Sequence, residues 1–441
     1  MAGAFFASAT SLFARKPAAL WPSFRGWHAS GVAADQNLPL KWNVKSGENI
    51  RFKVPIPGLA HSSPILWGDR LYLTTALSNK AGASFKPGLY GSGEASKDRS
   101  VHQWQVLCLD AGSGKTIWSK TAIQGAPKDK RHIKATYANA TPATDGETVV
   151  AMFGSQGLFA FSAAGKPLWS HDLGRLDVGA YDAPSFEWGS ASSPVIYGNK
   201  VFVQCDTQNE SFVRAIDLKT GKTIWNTQRE ELPSWGTPTV YTGGRAELVT
   251  NGSNFIRGYD LGTGKELWRL GGSSKITTPT PIYSKDRIIV ASGRSPERPI
   301  FAIRPGAVGD ITLARGATSN QSVAWSKTKR GPYMPTPIIV GNVVHTLGNS
   351  GIVGAYELKT GAEHYYRRMP NVTDGFSASA VSADDRIYLG SEDGTVYVMA
   401  AGSQFKLLAT NSIGEPIMAT PAIGGRTLFV RGSRHLFAIG Q

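Results

Sequence analysis

The chain has 441 residues, of which 41% are hydrophobic and 18% charged. This composition indicates a globular protein and excludes an intrinsically disordered one. The formal net charge of +15 favours anionic partners or surfaces. With only two cysteines, a disulfide scaffold is excluded. No apolar run reaches the roughly 18 residues that a membrane-spanning helix needs.

The chain begins with a mildly apolar stretch, AFFASATSLFA at 4–14, followed by Arg15 and Lys16. A secretory signal places its positive charge before the apolar core, and here the leading charge is missing. Residues 1–20 are therefore either a shortened signal or a disordered leader. The first alternative predicts a periplasmic or exported protein, and the second leaves a cytoplasmic one open. Residues 21–47 form a separate lead-in segment.

One phrase recurs along the rest of the chain: apolar residues, Asp, a Gly-containing turn, then Trp. It occurs as VLCLDAGSGKTIW at 106–118, VRAIDLKTGKTIW at 213–225 and IRGYDLGTGKELW at 256–268. A second phrase precedes it: Ser or Thr, Pro, a turn and an alternating apolar strand, as in ASSPVIYGNKVFVQ from 191. Eight copies occur, and most intervals are close to the 44 residues that separate Pro194 from Pro238.

A repeat of this length with four short strands is typical of a β-propeller blade. The sequence therefore predicts an all-β, eight-bladed propeller of four-stranded antiparallel blades over 48–441. The last copy lacks its fourth strand, whereas ENIRFKVPI at 48–56 is a strand without a blade. Pairing of this N-terminal strand with the last blade would close the ring and remove two exposed edges.

Two residue types recur at fixed places in the blades. The tryptophans occupy one position on the fourth strand, where they cannot converge on a ligand, so we expect them to pack blade against blade: Trp118, Trp169, Trp225, Trp268 and Trp325. Asp110, Asp217 and Asp260 end the third strand, where Asp commonly forms turns. No metal site is predicted from them.

The Asp-x-x-Thr-Gly-Lys-x-x-Trp phrase resembles the PQQ-like β-propeller family, or quinoprotein repeat, over about residues 48–441. The opening WPSFRGWHASG at 21–31 is similar to the lead-in of many bacterial secreted propellers of this class, with Trp27 in place of the usual proline. The resemblance implies one of two functions. One branch comprises non-catalytic, BamB-like interaction scaffolds, and the other comprises alcohol dehydrogenases that hold pyrroloquinoline quinone and calcium.

The sequence favours the scaffold branch. The dehydrogenases carry an adjacent pair of cysteines, whereas Cys108 and Cys205 lie in blades one and three and resemble ordinary buried thiols. No histidine pair has metal-ligand spacing, and no nucleophile elbow or phosphate-binding loop occurs. We therefore expect no catalytic residues, no metal and no cofactor. A quinone-dependent dehydrogenase that oxidises an alcohol or sugar, with pyrroloquinoline quinone and calcium, remains the alternative.

Binding is expected on the face that carries the long loops, because long loops on a rigid scaffold are where binding residues concentrate. This long-loop face is built from the connections between blades and from those between the second and third strands. Its aromatic and charged side chains give the candidate binding residues Lys128, Lys130, Arg131, Lys134, Tyr137, Tyr181, Asp182, Glu187, Trp188, Trp235, Arg294 and Tyr333.

Two alternatives stay open for these residues. The basic run at 126–137 could be a solvated loop, and Trp188 and Trp235 could pack at the channel mouth. The expected partner is a protein or an anionic envelope component. Nucleic acid is not expected, because no recognition helix or RNA-binding motif is present. We expect a monomer that does not span a membrane.

Overall fold

A computed structural model of the protein describes residues 20–88 and 95–441. These residues form eight antiparallel blades in a ring and one separate two-stranded hairpin. The predicted eight-bladed, all-β propeller is confirmed. Most of the predicted leader, residues 1–19, lies outside the described residues.

In each blade the strands follow one another from the channel to the rim, and we call them A to D in that order. Two 3-10 helices, Trp27–Ala29 and Gly154–Gln156, are the helical segments within the described ranges. The lead-in contributes β1 (Leu20–Trp21), β2 (Val32–Ala33) and β3 (Ile50–Pro55). Blade one contains β4 (Ile65–Trp67), β5 (Arg70–Ser78), β6 (His102–Asp110) and β7 (Thr116–Gly125). Blade two contains β8 (Ala143–Thr144), β9 (Thr148–Met152), β10 (Leu158–Ser162) and β11 (Pro167–His171).

The hairpin between blades two and three is β12 (Gly179–Ala180) and β13 (Ala183–Glu187). Blade three contains β14 (Val195–Tyr197), β15 (Lys200–Cys205), β16 (Ser211–Asp217) and β17 (Thr223–Arg229). Blade four contains β18 (Thr239–Tyr241), β19 (Glu247–Asn251), β20 (Phe255–Asp260) and β21 (Glu266–Gly271). Blade five contains β22 (Ile282–Ser284), β23 (Arg287–Ala291), β24 (Ile300–Ile303) and β26 (Val323–Lys327). Between β24 and β26, the inserted β25 (Gly309–Asp310) joins the sheet of blade four.

Blade six contains β27 (Ile338–Val340), β28 (Val343–Leu347), β29 (Ile352–Glu357) and β30 (Glu363–Arg368). Blade seven contains β31 (Val381–Ala383), β32 (Arg386–Gly390), β33 (Thr395–Ala400) and β34 (Leu407–Ser412). Blade eight contains β35 (Ala422–Gly424), β36 (Thr427–Arg431) and β37 (His435–Ile439), and β3 is its outer strand. β3 pairs antiparallel with β37, with Ile50 opposite Ile439, which is the ring closure that the sequence indicates.

The recurring tryptophans pack between blades. The indole N–H of Trp118 donates to the carbonyl of Ala163 in the next blade at 3.0 Å, and Trp169 bonds Leu218 in the same way at 2.8 Å. The turn glycine of the next blade lies against the ring: a Cβ on Gly221 would sit 2.7 Å from the Trp169 indole. The Trp ring of one blade therefore packs on the Thr-Gly-Lys turn of the next blade, and only glycine leaves enough space for it at the contact.

Trp268 differs from the other repeat tryptophans. Trp225 and Trp325 also bond carbonyls of the next blade, whereas the buried indole nitrogen of Trp268 has no partner in the described part of the chain. The next blade carries an insertion in place of the short turn, and β25 of that insertion pairs with β21 beside Trp268. The insertion thus replaces the usual indole contact with strand pairing.

Candidate functional site

The Ser/Thr-Pro phrase builds a ring of hydroxyl groups around the channel. In seven of the eight blade junctions, the backbone N–H of this Ser or Thr donates to the hydroxyl of its counterpart in the next blade, at 2.9 to 3.3 Å. The hydroxyl ring consists of Ser63, Thr141, Ser193, Thr237, Thr280, Thr336, Ser379 and Thr420. The phrase was predicted only to start a strand and the ring was not predicted, although the Ser or Thr at the same place in all eight copies was the available signal.

At the junction of blades eight and one, a buried arginine joins the two blades. Arg431 is 3% exposed, and its Nη1 donates to the hydroxyl and carbonyl of Ser62 and to the carbonyl of Thr74. Burial lowers the pKa of Arg431 to about 9, so the guanidinium still carries its charge at neutral pH. This junction therefore places a positive charge against Ser62, the residue that precedes the ring residue Ser63.

The lead-in segment crosses one end of the channel, which we call the closed end. Its β1 pairs with strand A of blade one, and its β2 pairs with strand A of blade seven. Between them, Arg25 is fully buried and donates to the carbonyls of Ala29, Ala380 and Pro337 at 3.1, 2.7 and 2.9 Å. The regular spacing of the repeat could not predict that Arg25 ties the lead-in to the blades, because the lead-in has no counterpart in the blades.

Trp27, which stands where the resemblance expects proline, is 47% exposed at the closed end. Its ring lies 6.1 Å from Trp67 and 6.0 Å from His28. Together with Tyr197, these rings border a cavity of about 270 Å³.

At the opposite, open end lies a larger cavity of about 490 Å³, which we call the vestibule. Phe24 of the lead-in lines both cavities and so stands between them. The hydroxyl ring forms the vestibule wall, and a collar nearer the mouth consists of Trp188, Trp235, Tyr333, Met334 and Met418. A volume of this size is typical of ligand pockets in proteins.

Trp188 and Trp235 stack on each other at the mouth, with ring centroids 5.7 Å apart. The Trp235 indole donates to the carbonyl of Gly189 at 2.7 Å, whereas the buried Trp188 indole nitrogen has no partner among the described residues. Burial raises the pKa of the Tyr333 hydroxyl. These three predicted residues therefore come together in one site, as packing at the channel mouth.

The four basic residues of the predicted run occupy different environments. Lys134 lines the vestibule and bonds the buried carboxylate of Glu392 at 2.6 Å. Lys128 and Lys130 lie outside it, 3.8 Å from the carboxylates of Asp172 and Glu187 respectively. Glu392 was not predicted as part of this site, because it lies in blade seven, far from Lys134 in the chain.

Arg131 corrects the prediction of an exposed basic cluster. Its side chain is 2% exposed and donates to the carbonyls of Ser84 at 3.0 Å and Ala135 at 2.6 Å. The guanidinium lies over the ring of Tyr137, whose hydroxyl in turn bonds the carbonyl of Asp98. Arg131 and Tyr137 therefore hold the loop in place, and the Arg131 guanidinium faces the protein interior rather than solvent.

The remaining predicted residues lie on or against the β12–β13 hairpin, three of them at its tip. Asp182 accepts a hydrogen bond from Arg294 of blade five at 3.0 Å, and the Arg294 guanidinium lies over the ring of Tyr181. At the base of the hairpin, Glu187 pairs with Arg175 and Lys130. The hairpin thus links the connection between blades two and three to blade five.

Two vestibule histidines are uncharged at neutral pH. Burial lowers the pKa of His61 to about 4, and its ring bonds the carbonyl of Lys134. Burial, together with the nearby charges of Lys134 and Arg131, lowers the pKa of His132 to about 4. Both histidines are therefore neutral imidazoles at pH 7.

The donor set of the vestibule does not fit calcium with pyrroloquinoline quinone. Calcium takes six to eight oxygen ligands, normally including several carboxylates. Glu392 is the nearby carboxylate, and it is already engaged by Lys134, Ser377 and the amide of Gly88. Among residues 20–88 and 95–441, no three His, Cys, Asp or Glu side chains group as metal ligands. Cys108 and Cys205 are free and buried in separate blades, and burial raises both thiol pKa values.

Comparison with known families identifies the repeat. The profile of the family described as outer membrane protein assembly factor BamB matches residues 20–209 and 209–439. The chain belongs to this family of PQQ-like repeat propellers. The match includes the lead-in from residue 20 onward, as well as the blades. No curated protein sequence matches the chain.

Solved structures share the propeller. BamB from Moraxella catarrhalis is 14% identical, with a TM-score of 0.54 over 83% of this chain and 98% of that one. The computationally designed Ika8 protein is 14% identical, with a TM-score of 0.53 over 81% and 100%. Quinohemoprotein alcohol dehydrogenase from Comamonas testosteroni is 11% identical, with a TM-score of 0.60 over 96% and 80%. At such identities the likeness shows the fold alone.

Proposed function

We propose that this protein is a non-catalytic scaffold that binds a partner protein or another component of the cell envelope through its long-loop face. The observation that carries the proposal is the β12–β13 hairpin. Its tip projects Tyr181, 41% exposed, beside the Arg294–Asp182 pair, and tyrosine and arginine commonly anchor protein interfaces. The stacked Trp188 and Trp235 lie in the same face.

The chemistry of the vestibule supports a scaffold over a quinone-dependent dehydrogenase. A general base needs a titratable group placed to accept a proton. The buried Glu392 carboxylate accepts from Lys134, Ser377 and Gly88, and the ring of His61 is bonded to a backbone carbonyl. These groups hold the vestibule wall together rather than presenting a base to a substrate.

The family description supports a place in the cell envelope, because it names an outer membrane assembly factor. We propose a periplasmic or exported protein that acts as a monomer. No helix of residues 20–88 and 95–441 is long and apolar enough to cross a membrane. The surface ion pairs of Lys128 and Lys130 with acidic neighbours argue against a nucleic-acid groove at this run.

Site-specific photo-crosslinking in cells of the source organism tests the proposal. A benzophenone amino acid replaces Tyr181 on the long-loop face or, as the matched control, Tyr197 at the closed end. The two tyrosines are 41% and 39% exposed, so the probes are about equally accessible. We expect one recurring envelope protein to crosslink at position 181 and not at 197. Equal crosslinking at both positions, or none at 181, would contradict the proposal.

A further inference from the structure

As residues 20–88 and 95–441 form it, the vestibule opens to a polypeptide at one end. Phe24 bounds it from below, and the lead-in crosses the closed end from blade one to blade seven. The middle of a chain would have to enter and leave through the same mouth, past the stacked Trp188 and Trp235. A chain end needs to enter only once. The geometry therefore favours a terminus.

The charges around the vestibule favour an anionic terminus. Lys134 is the charged side chain in the lining, and within the described residues no Asp or Glu lines the cavity. Glu392 behind the wall neutralises Lys134. Arg25 and Arg431 are 0% and 3% exposed. Arg25 donates to backbone carbonyls, including that of Ala380, and Arg431 donates to the hydroxyl and carbonyl of Ser62. Among residues 20–88 and 95–441, no Asp or Glu forms an ion pair with either arginine.

The hydroxyl ring supplies hydrogen-bond donors at the same depth. Seven of its hydroxyls accept an N–H from a neighbouring blade, and a hydroxyl that accepts keeps its own proton to donate. Across the described chain, none of these seven hydroxyls donates to another protein group. Their protons are therefore available to an acceptor in the channel, and a carboxylate offers about four acceptor sites.

We propose that the vestibule binds the C-terminal carboxylate of a partner polypeptide, with the carboxylate at the hydroxyl ring and the last apolar side chains in the aromatic and methionine collar. An N-terminal amine would meet the like charges of Arg25 and Arg431. The inference rests on the proposed function, because it assigns the part of the partner that the long-loop face receives.

Calorimetric titration of the full chain with matched peptides tests this inference. The probes are four acetylated hexapeptides, Gly-Ser-Gly-Ser-Leu-X with X as Phe, Leu, Lys or Gly, each as free acid and as C-terminal amide. We expect at least one acid, ending in an apolar residue, to bind about tenfold or more tightly than its amide, as loss of a charge-assisted bond implies. Equal binding of acid and amide, or no binding of any acid, would overturn it.

Two variants locate the binding. Met334→Trp and Met418→Trp fill the vestibule from different walls without removing a ring hydroxyl, and each should weaken acid binding by about tenfold or more. Tyr197→Trp adds the same side chain at the closed end and should leave binding unchanged. Retained binding in both filled variants, given that they melt cooperatively, would contradict the proposed location.

Two further results distinguish a peptide from a small carboxylate as the ligand, and distinguish failure of this inference from failure of the proposed function. 3-Phenylpropionate should bind at least about tenfold more weakly than the best peptide acid, and equal affinity would assign the site to small carboxylates and overturn the peptide proposal. Crosslinking at Tyr181 without any preference for free-acid over amide peptides would support the proposed scaffold function and contradict only this inference. Acid-selective peptide binding without a crosslink at Tyr181 would count against the scaffold function alone.

Discussion

The two ends of the channel are built in opposite ways. At the closed end, the chain itself spans the channel, and the fully buried Arg25 ties the lead-in to blades six and seven through backbone carbonyls. At the open end, the partly exposed ion pair of Asp182 with Arg294 reaches from the hairpin to blade five, and a cavity of about 490 Å³ remains beneath. Buried hydrogen bonds to backbone carbonyls hold the lead-in across the closed end, whereas a partly exposed ion pair links the hairpin tip to blade five at the open end. The first end should therefore determine stability and the second should be free to bind.

Removal of the closed end should have the largest effect. Deletion of residues 1–57 takes away the crossing segment and β3, leaving β37 as an unpaired edge. We expect loss of cooperative unfolding, or aggregation, measured by circular dichroism melting and size-exclusion chromatography. Deletion of residues 1–19 is the control and should melt like the full chain. Similar melting of both truncations would refute the ring closure.

Replacement of Arg25 tests the carbonyl contacts alone. Arg25→Met leaves buried carbonyls without their donor and should lower the free energy of unfolding by about 3 kcal/mol. Arg294→Met is the matched change at the open end and should cost only about 0.5 kcal/mol, since exposed ion pairs contribute little. Urea denaturation measures both variants, and equal losses would remove the distinction between the two ends.

Glycine substitutions sharpen the same comparison. Gly31 has a φ of +72°, and a Cβ there would lie 2.5 Å from a terminal nitrogen of Arg25. Gly31→Ala should cost about 2 to 3 kcal/mol, because steric displacement of Arg25 adds to the backbone strain. Gly174, near the open end, has a similar φ of +76° and nothing within 4 Å of its Cβ position. Gly174→Ala should therefore lower the free energy of unfolding by only about 1 kcal/mol. Thermal denaturation measures both variants. Equal destabilisation by Gly31→Ala and Gly174→Ala would show that the Arg25 side chain moves aside without cost.

The smallest stability effect should come from the hairpin. Asp182→Asn removes the charge that pairs with Arg294, and we expect a loss of at most about 0.5 kcal/mol. The local consequence should be faster amide hydrogen exchange in Gly179–Glu187, with exchange in the β3–β37 pair unchanged. Hydrogen exchange with mass spectrometry measures both segments. Unchanged exchange in the hairpin would mean that the ion pair does not hold it.

Regular features of the site could be predicted from the sequence, and the irregular ones could not. Trp188, Trp235 and Tyr333 were selected because they lie on loops of one face, and the structure gathers all three at the vestibule. Arg131 stands in the same loop as Lys134, yet it is buried and bonded to the carbonyl of Ser84. The spacing of basic residues along a long loop does not indicate which side chains will be buried, because burial depends on backbone carbonyls that come from distant parts of the chain.

The sequence by itself determined the number of blades, the turns and the ring closure, because each repeat encodes the same local strand and turn chemistry. Asp110, for example, accepts from the amide of Ser113 at 2.7 Å, a bond made within its own turn. Only the tertiary structure decided that the lead-in would cross the channel and that Glu392 would meet Lys134. It also decided that the Ser or Thr of eight separate copies, seven of them followed by Pro, would form one hydroxyl ring. These contacts join residues far apart in the chain, so their geometry exists only once the ring has closed.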